Sequence, residues 1–289
     1  GVDAIVMKGG QEDTETVIRA DGGWFDLDLG AVWRYRDLIG LMVRRDFVAQ
    51  YAQTALGPLW AVLQPLLTTL AFTLVFGRVA GLPTDGVPPT LFYMTGVVGW
   101  SYFASCITRT ATTFTSNAHI FGKVWFPRLV VPVSTVISAL VSLGIQLGLL
   151  AVLAGWEAAG GRFVPTVRCL WALPLLVLQM GVLGMGFGIV VSSLTIRYRD
   201  LANLVAFGVQ LWMYASPVVY PASRIPERWQ WIMFVNPVAP VIEAFRLSML
   251  GTGSLTAAQV LVSGGTTLLV LGAGVLLFSR VEKSFMDTV

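Results

Sequence analysis

Six stretches of this chain are continuously apolar and about as long as a bilayer is thick: 59–80, 90–114, 129–155, 169–195, 201–221 and 258–279. A helix needs roughly 20 mostly apolar residues to cross the hydrocarbon layer. No water is present there to satisfy backbone polar groups, so each run is predicted to be an α-helix. A transmembrane β-barrel would show short alternating strands instead. Composition agrees, with 55% hydrophobic and only 12% charged residues among 289, where a soluble domain carries about 25% charged. The expected fold is an all-α membrane protein with six transmembrane helices.

Residues 229–250, WQWIMFVNPVAPVIEAFRLSML, are apolar but broken by Pro237 and Pro240 and carry Glu243 and Arg246. A straight span with that content is costly. The segment reads as a re-entrant pair of short helices that dips into the membrane and returns, ahead of the last span. A kinked seventh span is the alternative. Glu243 and Arg246 are three apart, the spacing of neighbours on one helical face.

The Lys/Arg bias sets the orientation. With the N-terminus inside, Arg34, Arg36, Arg44, Arg45, Lys123, Arg128, Arg197, Arg199, Arg280 and Lys283 fall on the inner side, against Arg78, Arg162, Arg168, Arg224 and Arg228 outside. Both termini are therefore expected in the cytoplasm. Ahead of the first span, residues 31–52 place Val32, Tyr35, Leu38, Ile39 and Met42 at helical spacing, with most charges elsewhere on the wheel. That pattern predicts an amphipathic helix on the inner membrane surface; an ordinary helix packed on protein is the alternative. Residues 1–30, rich in Asp and Glu, read as a flexible acidic cytoplasmic tail, and 31–285 as a single transmembrane domain.

Several chemistries are poorly served. The net charge is only +3 and the basic residues are scattered among apolar runs, unlike a nucleic-acid-binding face. Cys106 and Cys169 lie in or beside apolar segments and do not suggest a disulfide framework. His119 is the only histidine, so no metal site or catalytic residue is expected. A membrane-bound glycosyl- or acyltransferase needs paired carboxylates or a histidine base. A secondary carrier places ionisable groups near the midplane, and the clear spans hold almost none. No G-x-x-x-x-G-K-[ST] phosphate loop is present, because Gly122-Lys123 is followed by Val124.

The motifs are distributed along the chain. The loop between the second and third spans reads SNAHIFGKVWFPRLVVP (116–132), with Gly122 permitting a bend and Lys123 and Arg128 bracketing Trp125 and Phe126. Upstream is RRDFVAQYAQTALGPLWAVLQPL (44–66); downstream are IRYRDL (196–201), SPVVYP (216–221) and NPVAPVIEAFR (236–246). In this order they resemble the permease subunits of type-2 ABC exporters that move polysaccharides such as O-antigen and teichoic acid. The resemblance covers roughly 31–285.

That resemblance implies a multi-pass protein of the cytoplasmic membrane, not itself an enzyme, that exports a lipid-linked polysaccharide. It implies a homodimer seated on two copies of a separate ATPase subunit, with ATP and Mg bound there and no cofactor on this chain. The loop holding Asn117, His119, Phe121, Gly122, Lys123 and Trp125 would be the coupling helix, with Arg44 and Arg45 in a second contact. In the family the first and fifth spans line the channel, which makes Trp60, Phe72, Phe76, Phe207, Trp212, Tyr214 and Tyr220 candidate glycan contacts. Sugar C–H faces lie flat on aromatic rings; ordinary packing against lipid or helix is the alternative. An ABC permease for a small molecule, such as a drug or haem, is the nearest other reading.

Overall fold

The computed structural model describes residues 29–286 apart from 53, 55, 118–125, 128, 167–168 and 196–199. The acidic tail, most of the coupling loop from His119 to Trp125 and most of IRYRDL lie outside the described residues. Among the described residues every regular element is helical. The chain begins with α1 (Leu29–Arg34) and α2 (Arg36–Tyr51), separated at Tyr35 where one continuous helix over 31–52 was expected.

Gly57 adopts a left-handed backbone (φ +50°) that turns the chain into a 3-10 turn at Gly57–Leu59, with Pro58 at its start. From there α3 (Trp60–Phe72) runs on into a π-helical stretch, Thr73–Val79. A turn-rich loop follows, with Asp85 and Gly86 both at positive φ, a hairpin-like geometry that Asp-Gly accommodates. Next come α4 (Pro89–Ala111), the short α5 (Thr113–Ser116) and α6 (Val130–Ala159). Then follow α7 (Cys169–Thr195) and α8 (Leu201–Tyr214), and after two 3-10 turns α9 (Ile232–Val235), α10 (Val238–Leu250) and α11 (Ala257–Met286).

By length and apolarity, four of the described helical segments suffice to cross a membrane: Gly57–Val79, Val130–Ala159, Cys169–Thr195 and Ala257–Leu277. The bent pair Glu227–Val235 and Val238–Leu250 turns through 97°, so the 229–250 segment is two short helices, as its prolines indicated. Helix α4 has 23 residues and matches the expected second run, but it carries Ser, Thr and Tyr side chains and Arg109. Its position explains that. Every residue from Leu91 to Trp100 is buried, and α4 packs against α3, α6, α7, α8 and α10. A helix sheathed by protein over that stretch need not be apolar toward lipid.

The fifth run departs from expectation. The apolar run predicts a helix through 221, and the chain is helical only over Leu201–Tyr214. Fourteen residues rise about 21 Å, short of the ~30 Å hydrocarbon thickness. Pro217 is the cause: proline disfavours helical backbone in the residue before it and offers no N–H. Residues 216–219 are nevertheless fully buried, which is why hydropathy reads them as part of the span.

Close helix contact is made by small residues. A Cβ on Gly184 would sit 2.6 Å from Cys106 Cβ, and one on Gly188 would sit 2.5 Å from Thr110 Cβ, so α7 lies directly on α4. Gly186 and Gly274 do the same between α7 and α11, where a Cβ on Gly274 would be 2.9 Å from the Gly186 carbonyl. Small residues at such seams let helices approach closely where lipid gives little hydrophobic drive.

Candidate functional site

A groove of about 610 Å³ opens between α3, α4, α6 and α8. Each helix contributes one face. Trp60, Gln64, Thr68 and Phe72 line it from α3 at steps of four residues, and Ser101, Ser105 and Thr108 line it from α4. Ser142 and Gln146 come from α6, and Gln210 and Tyr214 from α8. Spacings of three and four residues put such sets on one side of a helix. Thr68 Oγ1 donates to the Gln64 carbonyl at 2.9 Å and Thr108 Oγ1 to the Ala104 carbonyl at 2.8 Å, leaving oxygen lone pairs free to accept. Gln146 is 9% exposed, and its Oε1 has no hydrogen-bond partner among the described residues. None of the described lining residues is ionisable in the neutral range.

Gln50 and Ser105 also border a second cavity of about 630 Å³, lined by Arg45, Asp46, Arg109 and Asn117. Here charge appears. Asp46 accepts from Arg45 Nη2 at 2.9 Å, pairs with Arg109 Nη2 at 3.6 Å, and receives the Ser138 hydroxyl at 3.4 Å. Arg45 also reaches Asn117 Oδ1 at 3.3 Å, and the Asn117 amide donates to the Thr113 carbonyl. Two arginines against one aspartate leave this vestibule positive.

A third assembly lies at the bend. Arg246 and Glu243 are 1% and 0% exposed, with Nη1 donating to Oε2 at 2.8 Å. Arg246 Nη2 donates to the carbonyls of Pro217 at 2.7 Å and Val218 at 3.2 Å, and the guanidinium carbon stands 4.0 Å over the Phe92 ring. The other Glu243 oxygen accepts the Ser254 N–H at 3.1 Å. Beside this pair, Asn236 Oδ1 accepts from Trp212 Nε1 at 3.0 Å and from the Val238 N–H at 3.2 Å, while its Nδ2 donates to Ser216 Oγ at 2.9 Å. The end of α8 before Pro217 and the 97° bend are thus held by two adjoining sets of hydrogen bonds, one centred on Arg246 and Glu243 and one on Asn236.

A family model for ABC-2 type transporters matches residues 37–250. The chain belongs to the ABC-2 type transporter family. It is 30% identical over 253 residues to the O-antigen export system permease protein RfbA of Klebsiella pneumoniae, covering 87% of this chain and 94% of that protein. The protein of the same name from Myxococcus xanthus is 25% identical over 261 residues, covering 89% and 97%. The polysialic acid transport protein KpsM of Escherichia coli is 20% identical over 251 residues, covering 84% and 93%.

Within this ABC-2 chain the expected aromatics separate into two groups. Trp60, Phe72 and Tyr214 border the groove. Phe76, Phe207, Trp212 and Tyr220 are not among its described lining residues. Phe76 stacks edge-on against Phe72 at 5.4 Å. Trp212 is held edge-on between Phe103 at 5.5 Å and Phe187 at 5.3 Å. Tyr220 is half-buried on the core, and Phe207 is exposed. Of the coupling candidates, Arg44 is exposed, Arg45 and Asn117 meet in the vestibule, and His119, Phe121, Gly122, Lys123 and Trp125 lie outside the described residues.

Sequence reasoning did not single out Gln64, Ser105, Gln146 or Gln210, nor Asp46 and Asn236. An isolated polar residue in an apolar run was the available signal, and Gln146, the sole amide in the 30-residue α6, shows it most plainly.

Proposed function

We propose that this chain is the channel-forming permease subunit of an ABC exporter that carries a lipid-linked, O-antigen-like polysaccharide across the cytoplasmic membrane. The observation that carries this reading is the near end-to-end similarity to relatives named as O-antigen export permeases. Two copies of the chain form a homodimer over two copies of a separate ATPase, which holds ATP and Mg. Residues 31–285 are its transmembrane domain, 1–30 a cytoplasmic tail, and both termini are cytoplasmic.

In this reading the polypeptide crosses the membrane six times, through α3 with its π-helical extension, α4, α6, α7, α8 and α11. The bent pair α9–α10 enters from the outer side and returns. The burial of residues 216–221 apart from half-buried Tyr220 supports counting α8 as a crossing whose outer third is irregular but sheathed by protein. Helix α2 lies at the inner interface. Its Leu38, Ile39 and Met42, with Tyr35 just before it, pack on Phe126, Val130 and Val131, while Leu41 and Val48 are exposed and supply an apolar stripe for the lipid surface.

The test is export of glycan in cells that produce the chain with a partner ATPase, together with stimulation of ATP hydrolysis by lipid-linked glycan. The groove's volume also suits a small molecule. Stimulation by a drug or haem but not by glycan would favour that alternative. The segment around 116–126 docks into the ATPase, so Lys123→Glu is expected to reduce co-purification of the ATPase while membrane insertion is unchanged. Normal co-purification and normal export would make this loop a plain connector.

A further inference from the structure

The groove between α3, α4, α6 and α8 has a chemistry that narrows its ligand. We propose that it is a hydrogen-bonding seat for uncharged sugar residues, with Gln146 at its floor and Gln64 and Gln210 at its mouth. The proposal rests on the polysaccharide-exporter reading and adds to it the charge class of the glycan and the residues that meet its hydroxyls.

Gln146 carries the argument furthest. It is the only amide side chain in a helix whose middle is otherwise Leu, Val, Ala, Gly, Ile and Ser. Burying an unpaired amide inside a membrane protein is unfavourable. Gln146 is nonetheless 9% exposed, lines the groove, and has a carbonyl oxygen with no partner among the described residues. A ligand hydroxyl donating to that oxygen removes the deficit. Gln64 and Gln210 are exposed on α3 and α8 across the same groove. An amide both donates and accepts, as does each sugar hydroxyl, so the match does not depend on one linkage.

Charge then excludes a class. No described residue lining the groove is ionised; arginines appear only beyond Gln50 and Ser105, in the adjoining vestibule. A polymer with a carboxylate on each unit is recognised by arginine or lysine forks and would lose water here without gaining a partner. Trp60 and Tyr214, 48% and 45% exposed, stand at the groove and offer aromatic rings suited to the C–H faces of a sugar. Neutral hydrogen bonds and ring contacts hold weakly, which a moving polymer requires.

The test uses the full-length chain co-purified with its ATPase in lipid nanodiscs, and two photoreactive probes of equal length: maltohexaose and a sialic acid hexamer. Maltohexaose is expected to label peptides containing Gln64, Gln146 and Gln210, and the sialic acid hexamer to leave them unlabelled. Gln146→Leu, an apolar replacement of similar size, is expected to weaken maltohexaose labelling roughly threefold to tenfold, the loss of about one hydrogen bond. If Gln146→Leu does not fold, Gln210→Leu on the exposed face of α8 takes its place with the same expectation. Equal labelling by both probes, or labelling untouched by these variants, overturns the proposal. So does a Gln64→Cys variant shielded from aqueous thiol reagents by a second copy of the chain. Glycan export is measured alongside. Export without groove labelling removes the seat and keeps the exporter; labelling without export does the reverse.

Discussion

Arg246 has a carboxylate, two backbone carbonyls and an aromatic face around one guanidinium, with almost no solvent. Such a group is worth little as a pair when compared with apolar residues, but removing one partner strands the other. Arg246→Met is therefore expected to destabilise the protein by about 3–5 kcal/mol, because Glu243 remains buried and the carbonyls of 217 and 218 lose their donor. Glu243→Gln/Arg246→Met together should recover part of that loss, since no uncompensated charge remains. Thermal unfolding of detergent-solubilised protein checks this: a double variant no more stable than Arg246→Met would mean the carbonyl contacts, not the ion pair, dominate. Space is as tight as charge here, since a Cβ on Gly96 would approach the Val218 carbonyl to 2.7 Å. The sequence showed Glu243 and Arg246 as a pair at helical spacing. That the arginine also clasps Pro217, 29 residues earlier, is a long-range contact that spacing does not encode.

The helix that organises the others is α4, and its contact with α7 depends on residues without side chains. Gly188→Ala places a methyl where Thr110 Cβ and Cγ2 already stand, at 2.5 and 2.9 Å, and overpacking of that kind costs about 1–3 kcal/mol. Gly148→Ala on α6 meets nothing within 4 Å; there the better helix propensity of alanine is expected to leave stability unchanged or raised by up to about 1 kcal/mol. Opposite signs for two Gly→Ala changes in neighbouring helices, read as unfolding midpoints, would confirm that α7 is seated by contact and not by composition. At the same scale, hydropathy located α3, α6, α7 and α11 to within a few residues at most ends, because length and apolarity are what the bilayer demands. It overran α8 by seven residues, because an apolar segment buried in protein scores like one in lipid.

Whether the six crossings and the outward-facing bend hold is a question for the whole molecule. Gln230 lies in the arm Glu227–Val235 that leads into the 97° bend, and Gln230→Cys is expected to react with an impermeant thiol reagent from outside the cell, while Lys283→Cys reacts only after the inner face is opened. Labelling of position 230 from the cytoplasm alone would refute the arrangement. The groove supplies the second test at this scale. Trp60 and Tyr214 are half-exposed on it, whereas Trp171 lies away from it and is 75% exposed. Trp60→Ala/Tyr214→Ala is expected to slow export of long chains severalfold without loss of ATPase assembly, the scale of losing aromatic contacts of about 0.5–1.5 kcal/mol; Trp171→Ala should not. Normal export by the double variant would return both rings to the status of packing residues.

The sequence by itself determined the solvent this chain lives in, its helical class, the position of most helices and the broken pair before the last one. These follow from local properties: apolar run length, proline, and the intolerance of hydrocarbon for unpaired backbone groups. Its ordered motifs also pointed to the ABC-2 family. Only the tertiary structure decided which apolar faces are covered by the chain itself and which are left exposed. Tyr35 and, on α2, Leu38, Ile39 and Met42 pack against Phe126, Val130 and Val131, although their spacing alone is equally that of a membrane-surface helix. It also decided which aromatics border the groove and which, like Trp212, are locked edge-on between other rings. The groove itself was not legible, because Gln64, Ser105, Gln146 and Gln210 are single polar residues on four separate helices. Each reads locally as a tolerated exception, and packing alone brings them to one side of a shared space.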